Sequence, residues 1–124
     1  MNIIVSNSLD VPLYIQIKEQ IKEAILQGEL EDGELLPSIR NFANDVHVSV
    51  LTIRRVYDEL EKEGFAFSQA GRGTFVSRGN PELLRDFKRR IIEQDLQKAV
   101  HNAKLFDIEK DELYAMVDIL YEED

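Results

Sequence analysis

The spacing of apolar residues changes after Gly64, and this change limits the possible folds more than any other feature of the sequence. Upstream of Gly64, apolar residues recur at helical spacing. Downstream, Phe65, Phe67 and Phe75 follow an alternating spacing on the two sides of the turn sequence Ala-Gly-Arg-Gly. Alternation around a glycine-containing turn is typical of a β-hairpin. The sequence therefore predicts a series of helices that ends in a small hairpin.

Three helical segments precede the hairpin. The first starts with Asp10 or Val11 as its N-cap and ends at Gly28, the second starts at Ser38, and the third starts at Ser49. Serine is favoured at helix starts because its hydroxyl accepts a hydrogen bond from a free backbone N–H, and glycine is favoured at helix ends. Two helices with a tight break between them, followed by a hairpin, form the order of a winged helix-turn-helix. The residues of the third helix predicted to face the core are Ile53, Val56, Tyr57 and Leu60.

Two further helices are predicted after the hairpin, over about residues 81–106 and 109–121. The apolar stripe of the longer helix changes face, because Leu84, Phe87 and Ile91 lie on one side and the later apolar residues lie on another. An apolar stripe marks the face that a helix buries. We therefore expect this helix to pack against two different bodies.

These elements predict the fold class and the division of the chain. A chain of 124 residues is long enough for one small domain with an appendage. We predict an α+β fold, mostly α, with a winged helix-turn-helix domain over residues 1–78 and a helical tail over residues 79–124.

The charge balance constrains the partners. The formal net charge is −9, which argues against indiscriminate binding of polyanions, but a local basic face is enough to bind nucleic acid. The least acidic segment is residues 40–78, with 6 basic and 5 acidic side chains. The chain has no cysteine, no apolar run long enough to span a bilayer and no set of residues with metal-ligand spacing. We expect a cytoplasmic protein with no membrane partner, no metal and no cofactor.

The third helix has an uneven charge distribution. Thr52, Arg54 and Arg55 lie near its start, and four acidic residues follow towards its end. A helix start offers free backbone N–H groups and the positive end of the helix dipole, and arginine can bind a phosphate or a guanine edge. We therefore expect this helix to enter a DNA groove with its N-terminus first. An alternative is that Arg54 with Asp58, and Arg55 with Glu59, only form pairs that stabilise an exposed helix.

The segment from Pro12 to Val76 resembles the DNA-binding domain of the GntR family of bacterial transcription regulators. The motifs PLY-x-QI, LPS-x-R, VS-x-x-T, Y-x-x-LE-x-EG and GRGTFV occur in the order and at the spacing of that family. The short segment that follows resembles the tail of the YtrA subfamily, in which two helices serve mainly for dimerisation. The residues expected at the dimer contact are Ile92, Leu96, Ala99, Ala103, Leu113, Met116, Val117 and Leu120.

This resemblance implies a function and its partners. It implies a sequence-specific regulator of transcription, a repressor, that binds a palindromic double-stranded DNA operator as a homodimer. It also implies a transporter operon as the target, and it leaves the small-molecule effector unknown. The sequence has no glycine-rich phosphate loop and no catalytic triad, so no enzymatic activity is expected. The negative charge supports one alternative, a winged-helix module that binds a basic protein and never DNA.

The resemblance also assigns contacts with DNA. Arg40 matches the arginine of LPS-x-R, although it could instead pair with Asp45 or Glu34. Gly71 and Arg72 match the tip of the wing, which enters the minor groove in the family. The residues expected to contact DNA are Arg40, Ser49, Val50, Leu51, Thr52, Arg54, Arg55, Gly71 and Arg72.

Val50 departs from the family pattern, because many members have arginine at this position. If that arginine reads a base in its relatives, this chain recognises a different operator or depends more on Arg54 and Arg55.

Overall fold

The computed structural model describes residues 1–8 and 10–123, so residues 9 and 124 of the two predicted domains lie outside the description. The described part contains five helices and one two-stranded antiparallel sheet. They are α1 (Leu13–Leu26), α2 (Ile39–Val46), α3 (Val50–Lys62), β1 (Ala66–Gln69), β2 (Gly73–Val76), α4 (Pro81–Leu105) and α5 (Lys110–Glu122). This order confirms the predicted fold class of a winged helix-turn-helix followed by two helices.

The chain forms two compact units, residues 1–84 and residues 85–124. We call the first the winged unit and the second the tail unit. The first turn of α4 belongs to the winged unit, where Leu84 packs against the core. The functional division predicted after residue 78 stays a prediction.

The start of α1 differs from the prediction. Neither Asp10 nor Val11 caps the helix, because Pro12 is the N-cap, with an extended backbone at φ −54° and ψ 146°. The Pro12 carbonyl accepts hydrogen bonds from the N–H groups of Ile15 and Gln16, each at 3.1 Å. Proline has no N–H of its own to satisfy, so the helix starts there without a side-chain cap.

The two predicted serine caps are confirmed. The Ser38 hydroxyl accepts a hydrogen bond from the Asn41 N–H at 3.2 Å at the start of α2, and Ser49 caps α3 in the same manner. Between the two helices His47 adopts a left-handed conformation at φ 60°, which makes the break tight. Gly64 ends α3 at φ 83°, a conformation that glycine adopts without steric cost.

The core of the winged unit lies where α1, α2 and α3 meet the hairpin. All four residues predicted for the inner face of α3 are buried. They pack with apolar residues of every other element of this unit. The core consists of Ile17, Ile21, Ala24, Leu30, Leu36, Phe42, Ala43, Ile53, Val56, Tyr57, Leu60, Phe65, Ala66 and Val76.

The link between α1 and α2 adds an edge to the hairpin. The partner of this link is the free edge of β2. The Leu36 N–H donates to the Thr74 carbonyl and the Val76 N–H donates to the Glu34 carbonyl, each at 2.8 Å. The wing is therefore hydrogen-bonded on two sides, to β1 and to this link.

The N-terminal residues are held by two glutamines of α1. The Ile4 N–H donates to the Gln20 side-chain oxygen, and the Ser6 N–H donates to that of Gln16, each at 2.9 Å. Both amide groups donate back to the carbonyls of the same two residues. This contact was not predicted from the sequence.

The tail unit buries far fewer residues than the winged unit. Phe87 is the only buried residue among those the structure describes here, and α4 and α5 do not pack extensively on each other. The turn between them is defined by Asp107 at φ 58° and by a hydrogen bond from the Ile108 N–H to the Ala103 carbonyl at 2.8 Å. Among the described residues, no helix has the length and apolar character needed to cross a bilayer.

Candidate nucleic-acid interface

The first turn of α3 is exposed to solvent. The Ser49 hydroxyl accepts a hydrogen bond from the Thr52 N–H at 3.0 Å and lies 2.8 Å from the Thr52 hydroxyl. Val50 is 41% exposed and Leu51 is 73% exposed. This exposure follows from the buried stripe, which turns the opposite side of the helix outward. The turn therefore offers two hydroxyl groups and two apolar side chains at the surface.

The two adjacent arginines of α3 have different surroundings. Arg54 is exposed and forms no hydrogen bond or ion pair within residues 1–8 and 10–123, so the alternative pair with Asp58 is absent. Arg55 does form the alternative pair, because its Nε donates to Glu59 Oε2 at 3.1 Å. Arg55 also contacts Tyr14 of α1. Arg54 is thus available to a ligand, whereas Arg55 is held in place.

Acidic residues at the C-terminal end of α3 form ion pairs and hydrogen bonds with other elements of the winged unit. Lys18 Nζ lies 2.8 Å from Glu59 Oε1 and 3.0 Å from Glu63 Oε2, and Lys22 Nζ also pairs with Glu63. Glu61 Oε1 accepts a hydrogen bond from the Ser68 N–H of β1 at 2.8 Å. These acids therefore fix α3 to α1 and to the wing.

Three pairs between α1 and α3 form a regular series, which we call the α1–α3 ladder: Tyr14–Arg55, Lys18–Glu59 and Lys22–Glu63. The two members of every pair are 41 residues apart. Each helix contributes every fourth residue, so one face of α1 lies along one face of α3. The constant separation shows that the two helices run in the same direction along this contact.

The carboxylates of the ladder are stabilised in their charged form. The hydrogen bond from Lys18, with a further one from Arg55, holds the pKa of Glu59 below its ordinary value of 4.5. Burial raises the pKa of Glu63, but its bonds to Lys22 and Lys18 outweigh burial and lower it overall. In the same way burial lowers the pKa of Lys18, while its two glutamate partners raise it overall. These shifts favour the charged forms of Lys18, Glu59 and Glu63 at neutral pH.

Arg40 lies exposed in the first turn of α2, next to the helix start capped by Ser38. Neither of its alternative partners contacts it within the part of the chain that the structure describes. Glu34 instead accepts a hydrogen bond from the Glu31 N–H at 3.1 Å. The Arg40 guanidinium is therefore available to a ligand.

The tip of the wing is built from two glycines around an exposed arginine. Gly71 has φ 76° and Gly73 has φ 121°, so both need the conformational freedom of glycine. A Cβ at Gly73 would lie 2.9 Å from Cδ1 of the exposed Leu35, so this side chain would have to shift to admit it. The link thus approaches the wing closely, and Arg72 is presented between the two turn positions.

A cleft of about 310 Å³ lies between the wing and the start of α2. Ser38, Arg72 and Thr74 contribute to its lining, together with the ring of Tyr57. The Tyr57 hydroxyl donates to the Pro37 carbonyl at 2.8 Å, and burial raises its pKa. The structure therefore brings the wing tip and the start of α2 to one surface.

Sequence reasoning missed the role of α1 at this surface. The sequence assigned no functional role to Tyr14 or Lys18, yet both determine the surroundings of Arg55 and Glu59. A signal was present, because Tyr14, Lys18 and Lys22 repeat at the helical spacing of Arg55, Glu59 and Glu63. Matching the two lysines of one stripe with the two glutamates of the other would have suggested that these two faces pack together.

Comparison with known proteins relates this arrangement to DNA-bound structures. Residues 13–76 match the family described as bacterial regulatory proteins, gntR family. The HTH-type transcriptional repressor YtrA of Bacillus subtilis (strain 168) is 32% identical over 106 residues, which cover 86% of this chain and 82% of that protein.

Two solved structures extend the comparison. The structure of YtrA from Sulfolobus acidocaldarius, a GntR-family transcription factor, is 37% identical, with a TM-score of 0.61, and the match covers 77% of this chain and 97% of that chain. The structure of AraR(DBD) in complex with operator ORX1 is 30% identical, with a TM-score of 0.56, and the match covers 62% of this chain and 96% of that chain.

Proposed function

Because this chain belongs to the GntR family of bacterial regulatory proteins, we propose that it is a sequence-specific repressor that binds a palindromic DNA operator as a homodimer. Membership makes it a helix-turn-helix regulator of transcription and not an enzyme. The single observation that carries the finer proposal is the division of α3. Arg54, beside the exposed first turn, forms no hydrogen bond or ion pair among the described residues, whereas Glu59, Glu61 and Glu63 behind it are engaged with α1 and β1.

This division determines how α3 approaches DNA. The exposed first turn enters the major groove, where Arg54 donates to a guanine edge and the apolar side chains of Val50 and Leu51 contact thymine methyl groups. The hydroxyls of Ser49 and Thr52 bind phosphate, and so does the exposed Arg40 of α2. The paired acids stay away from the phosphates, which would repel them. Gly71 and Arg72 of the wing tip enter the minor groove.

Exposed apolar side chains in the tail unit support the homodimer. Ile92 and Leu96 of α4 are exposed, as are Met116 and Leu120 of α5. The other four residues expected at the contact, Ala99, Ala103, Leu113 and Val117, are only half-buried. Neighbouring exposed residues that were not predicted enlarge this apolar surface: Val100, Leu105, Phe106, Tyr114, Ile119 and Tyr121. Large exposed apolar patches mark interaction sites, and a second copy is the partner that offers the same surface.

The homodimer places two copies of α3 on one operator. In symmetric complexes of this kind the two recognition helices lie about one turn of DNA apart, roughly 34 Å. Sedimentation equilibrium tests the assembly directly. A dimer at micromolar concentration supports the proposal, and a monomer at the concentration that saturates operator DNA contradicts it.

Operator binding is tested with Arg54. We expect Arg54→Ala to weaken binding to DNA from the promoter of its own gene by about 1–3 kcal/mol, because a bidentate contact with a base is lost. Fluorescence anisotropy at several salt concentrations measures this loss. Lys110→Gln is the matched control, since it removes one positive charge from α5 instead of α3. Equal binding by wild type and Arg54→Ala contradicts the assigned role of Arg54.

The alternative function has its own outcome in this experiment. A protein that binds promoter DNA no better than scrambled DNA, with no dependence on salt, contradicts the proposal and favours the protein-interaction module.

Control of a transporter operon is the most specific part of the proposal and rests on the resemblance to the YtrA subfamily alone. Genome-wide mapping of bound sites tests it, and binding sites without neighbouring transporter genes contradict it.

A further inference from the structure

The first pair of the α1–α3 ladder differs from the other two. Lys18 and Lys22 of α1 each pair with a carboxylate of α3, whereas the partner of Arg55 on the other helix is the uncharged side chain of Tyr14, and its carboxylate partner, Glu59, is shared with Lys18. The ladder contains three cations and two carboxylates, Glu59 and Glu63, and so keeps one net positive charge. The Arg55 side chain is 58% exposed, compared with 13% for Lys18 and 2% for Lys22. The unbalanced charge is therefore most accessible at Arg55, towards the start of α3.

Three contacts fix the Arg55 guanidinium. Its Cζ lies 3.6 Å from the centroid of the Tyr14 ring, and its Nη2 donates to the Tyr14 hydroxyl at 2.9 Å. Its Nε donates to Glu59, whose other oxygen accepts from Lys18. Glu59 is held in turn by a side chain of α1. Tyr14 and Glu59 thus determine both the plane of the guanidinium and the direction in which it points.

The fixed guanidinium keeps most of its donors. It has five N–H groups, of which one goes to Glu59 and one to Tyr14. The remaining three have no partner within residues 1–8 and 10–123. Two of them can form the paired hydrogen bonds with which arginine binds a phosphate.

We propose that Tyr14 is a positioning residue for DNA binding, which holds Arg55 as a preset donor for one backbone phosphate in each half-site. This inference rests on the proposed function, because it needs a protein that binds DNA. It gives the two adjacent arginines separate roles. Arg54, without a partner, adapts to a base edge, while Arg55, held by Tyr14 and Glu59, binds the backbone and sets the position of α3.

A purely structural role does not account for this arrangement. The remaining pairs of the ladder already join α1 to α3, and the buried Ile17 and Ile53 lie in the core that these helices share. An exposed pair with tyrosine adds little to such a contact. Ordering a long side chain before binding, in contrast, reduces the entropy lost when it meets its ligand.

A double-mutant cycle on the full-length protein tests the proposal. The variants are Tyr14→Leu, Arg55→Gln and their combination, with Tyr14→Phe as the conservative change that keeps the ring but loses the hydroxyl. Affinity for the same promoter DNA is measured at several salt concentrations. Urea unfolding of each variant checks that it folds, and Lys110→Gln again controls for the loss of one charge, because Lys110 also lies near a tyrosine ring, 5.5 Å from that of Tyr114.

We expect Arg55→Gln to weaken binding and to reduce the salt slope by about one for each half-site, because one phosphate contact is lost. Tyr14→Leu should weaken binding about two- to tenfold for each half-site, the range for ordering one side chain. Tyr14→Phe should retain part of the wild-type affinity. In the Arg55→Gln background, Tyr14→Leu should have no further effect, since its role acts through Arg55.

Two results overturn the inference. Equal losses from Tyr14→Leu in both backgrounds mean that Tyr14 contacts DNA itself or only supports the fold. An unchanged salt slope in Arg55→Gln means that Arg55 binds no phosphate. Arg54→Ala separates this failure from failure of the proposed function. If Arg54→Ala weakens operator binding but the cycle shows no coupling, only the role of Tyr14 is wrong; if wild type does not bind, both proposals are wrong.

Discussion

The winged unit buries or half-buries most of its large apolar side chains, whereas the tail unit leaves most of its own exposed. In the winged unit, residues from three helices and the hairpin enclose one core, and Ile53 and Leu60 have no exposed surface. In the tail unit, Phe87 is the one buried residue of those described, and Leu105 and Phe106 are both more than half exposed. Both units contain helices of ordinary length. What differs is whether a single chain supplies enough surface to cover the apolar face of each helix.

This difference in burial leads us to expect that the winged unit is stable as a single chain, whereas the tail unit depends on a second copy for its stability. Burial of apolar surface contributes about 25 cal/mol per Å², and the winged unit obtains this contribution within one chain. The tail unit obtains little of it alone, so we expect its stability to depend on protein concentration through the second copy. Mutations in the two units should therefore have effects that differ in kind, and three predictions test this.

The largest effect is expected from Leu60→Ala, which leaves a cavity in the closed core. Replacing a buried leucine by alanine costs about 2–5 kcal/mol of unfolding free energy. Urea unfolding, followed at two protein concentrations, should show the same loss at both. Leu105→Ala is the matched control, because it makes the same substitution at an exposed residue of the tail unit. It should leave the unfolding of the winged unit nearly unchanged. Similar losses from both variants contradict the comparison.

A second effect is expected from Leu96→Glu in α4. A carboxylate in the proposed dimer contact is buried without a partner, so self-association should weaken by about 2 kcal/mol or more. Sedimentation equilibrium gives the dissociation constant. Ile4→Glu is the matched control, because Ile4 is an exposed apolar residue of the winged unit. An unchanged dissociation constant in Leu96→Glu, or an equal change in Ile4→Glu, contradicts the role assigned to the tail.

The smallest effect concerns pH and the α1–α3 ladder. The pKa of Glu59 is lower in the folded protein than its ordinary value of 4.5, so the stabilisation is present above that pH and is lost as the pH falls through the folded pKa. Glu59→Gln should therefore be less stable than wild type at pH 7 and should approach it towards pH 3. Urea midpoints between these pH values measure the convergence.

Glu93→Gln is the control for the pH experiment, since Glu93 lies exposed in the tail unit, 3.8 Å from Arg89. The urea midpoint of Glu93→Gln should differ little from that of wild type at every pH measured. A constant gap between wild type and Glu59→Gln, from neutral to acid, contradicts the contribution assigned to the ladder.

Local features of the sequence predicted the elements of this fold well. Ser38 and Ser49 satisfy backbone groups within three residues of themselves, and Gly64 allows a conformation that other residues avoid. Such signals act over short distances and can be read directly. The start of α1 was misplaced because Pro12 caps the helix through its backbone alone, without a side-chain signal.

Contacts between distant segments were not predictable in the same way. The Tyr14–Arg55 pair joins residues 41 positions apart, and the pairing of Leu36 with Thr74 depends on how the link crosses the wing. The matching helical spacing of residues 14, 18 and 22 and of residues 55, 59 and 63 indicates the first contact only once α1 and α3 are known to pair, and the second contact leaves no local pattern. The sequence therefore predicted that Arg54 and Arg55 share an exposed helix start, but not that one of them is held and the other is not.

The exposed first turn of α3 also bears on how such regulators diverge. Val50 and Leu51 stand outside the core, and substitutions at exposed positions usually change stability by less than about 0.5 kcal/mol. With the base contacts proposed for these two residues, a duplicated gene could exchange the two codons and acquire a new set of target promoters while its product still folds. The choice of target sequence would then be inherited almost independently of the residues that form the core.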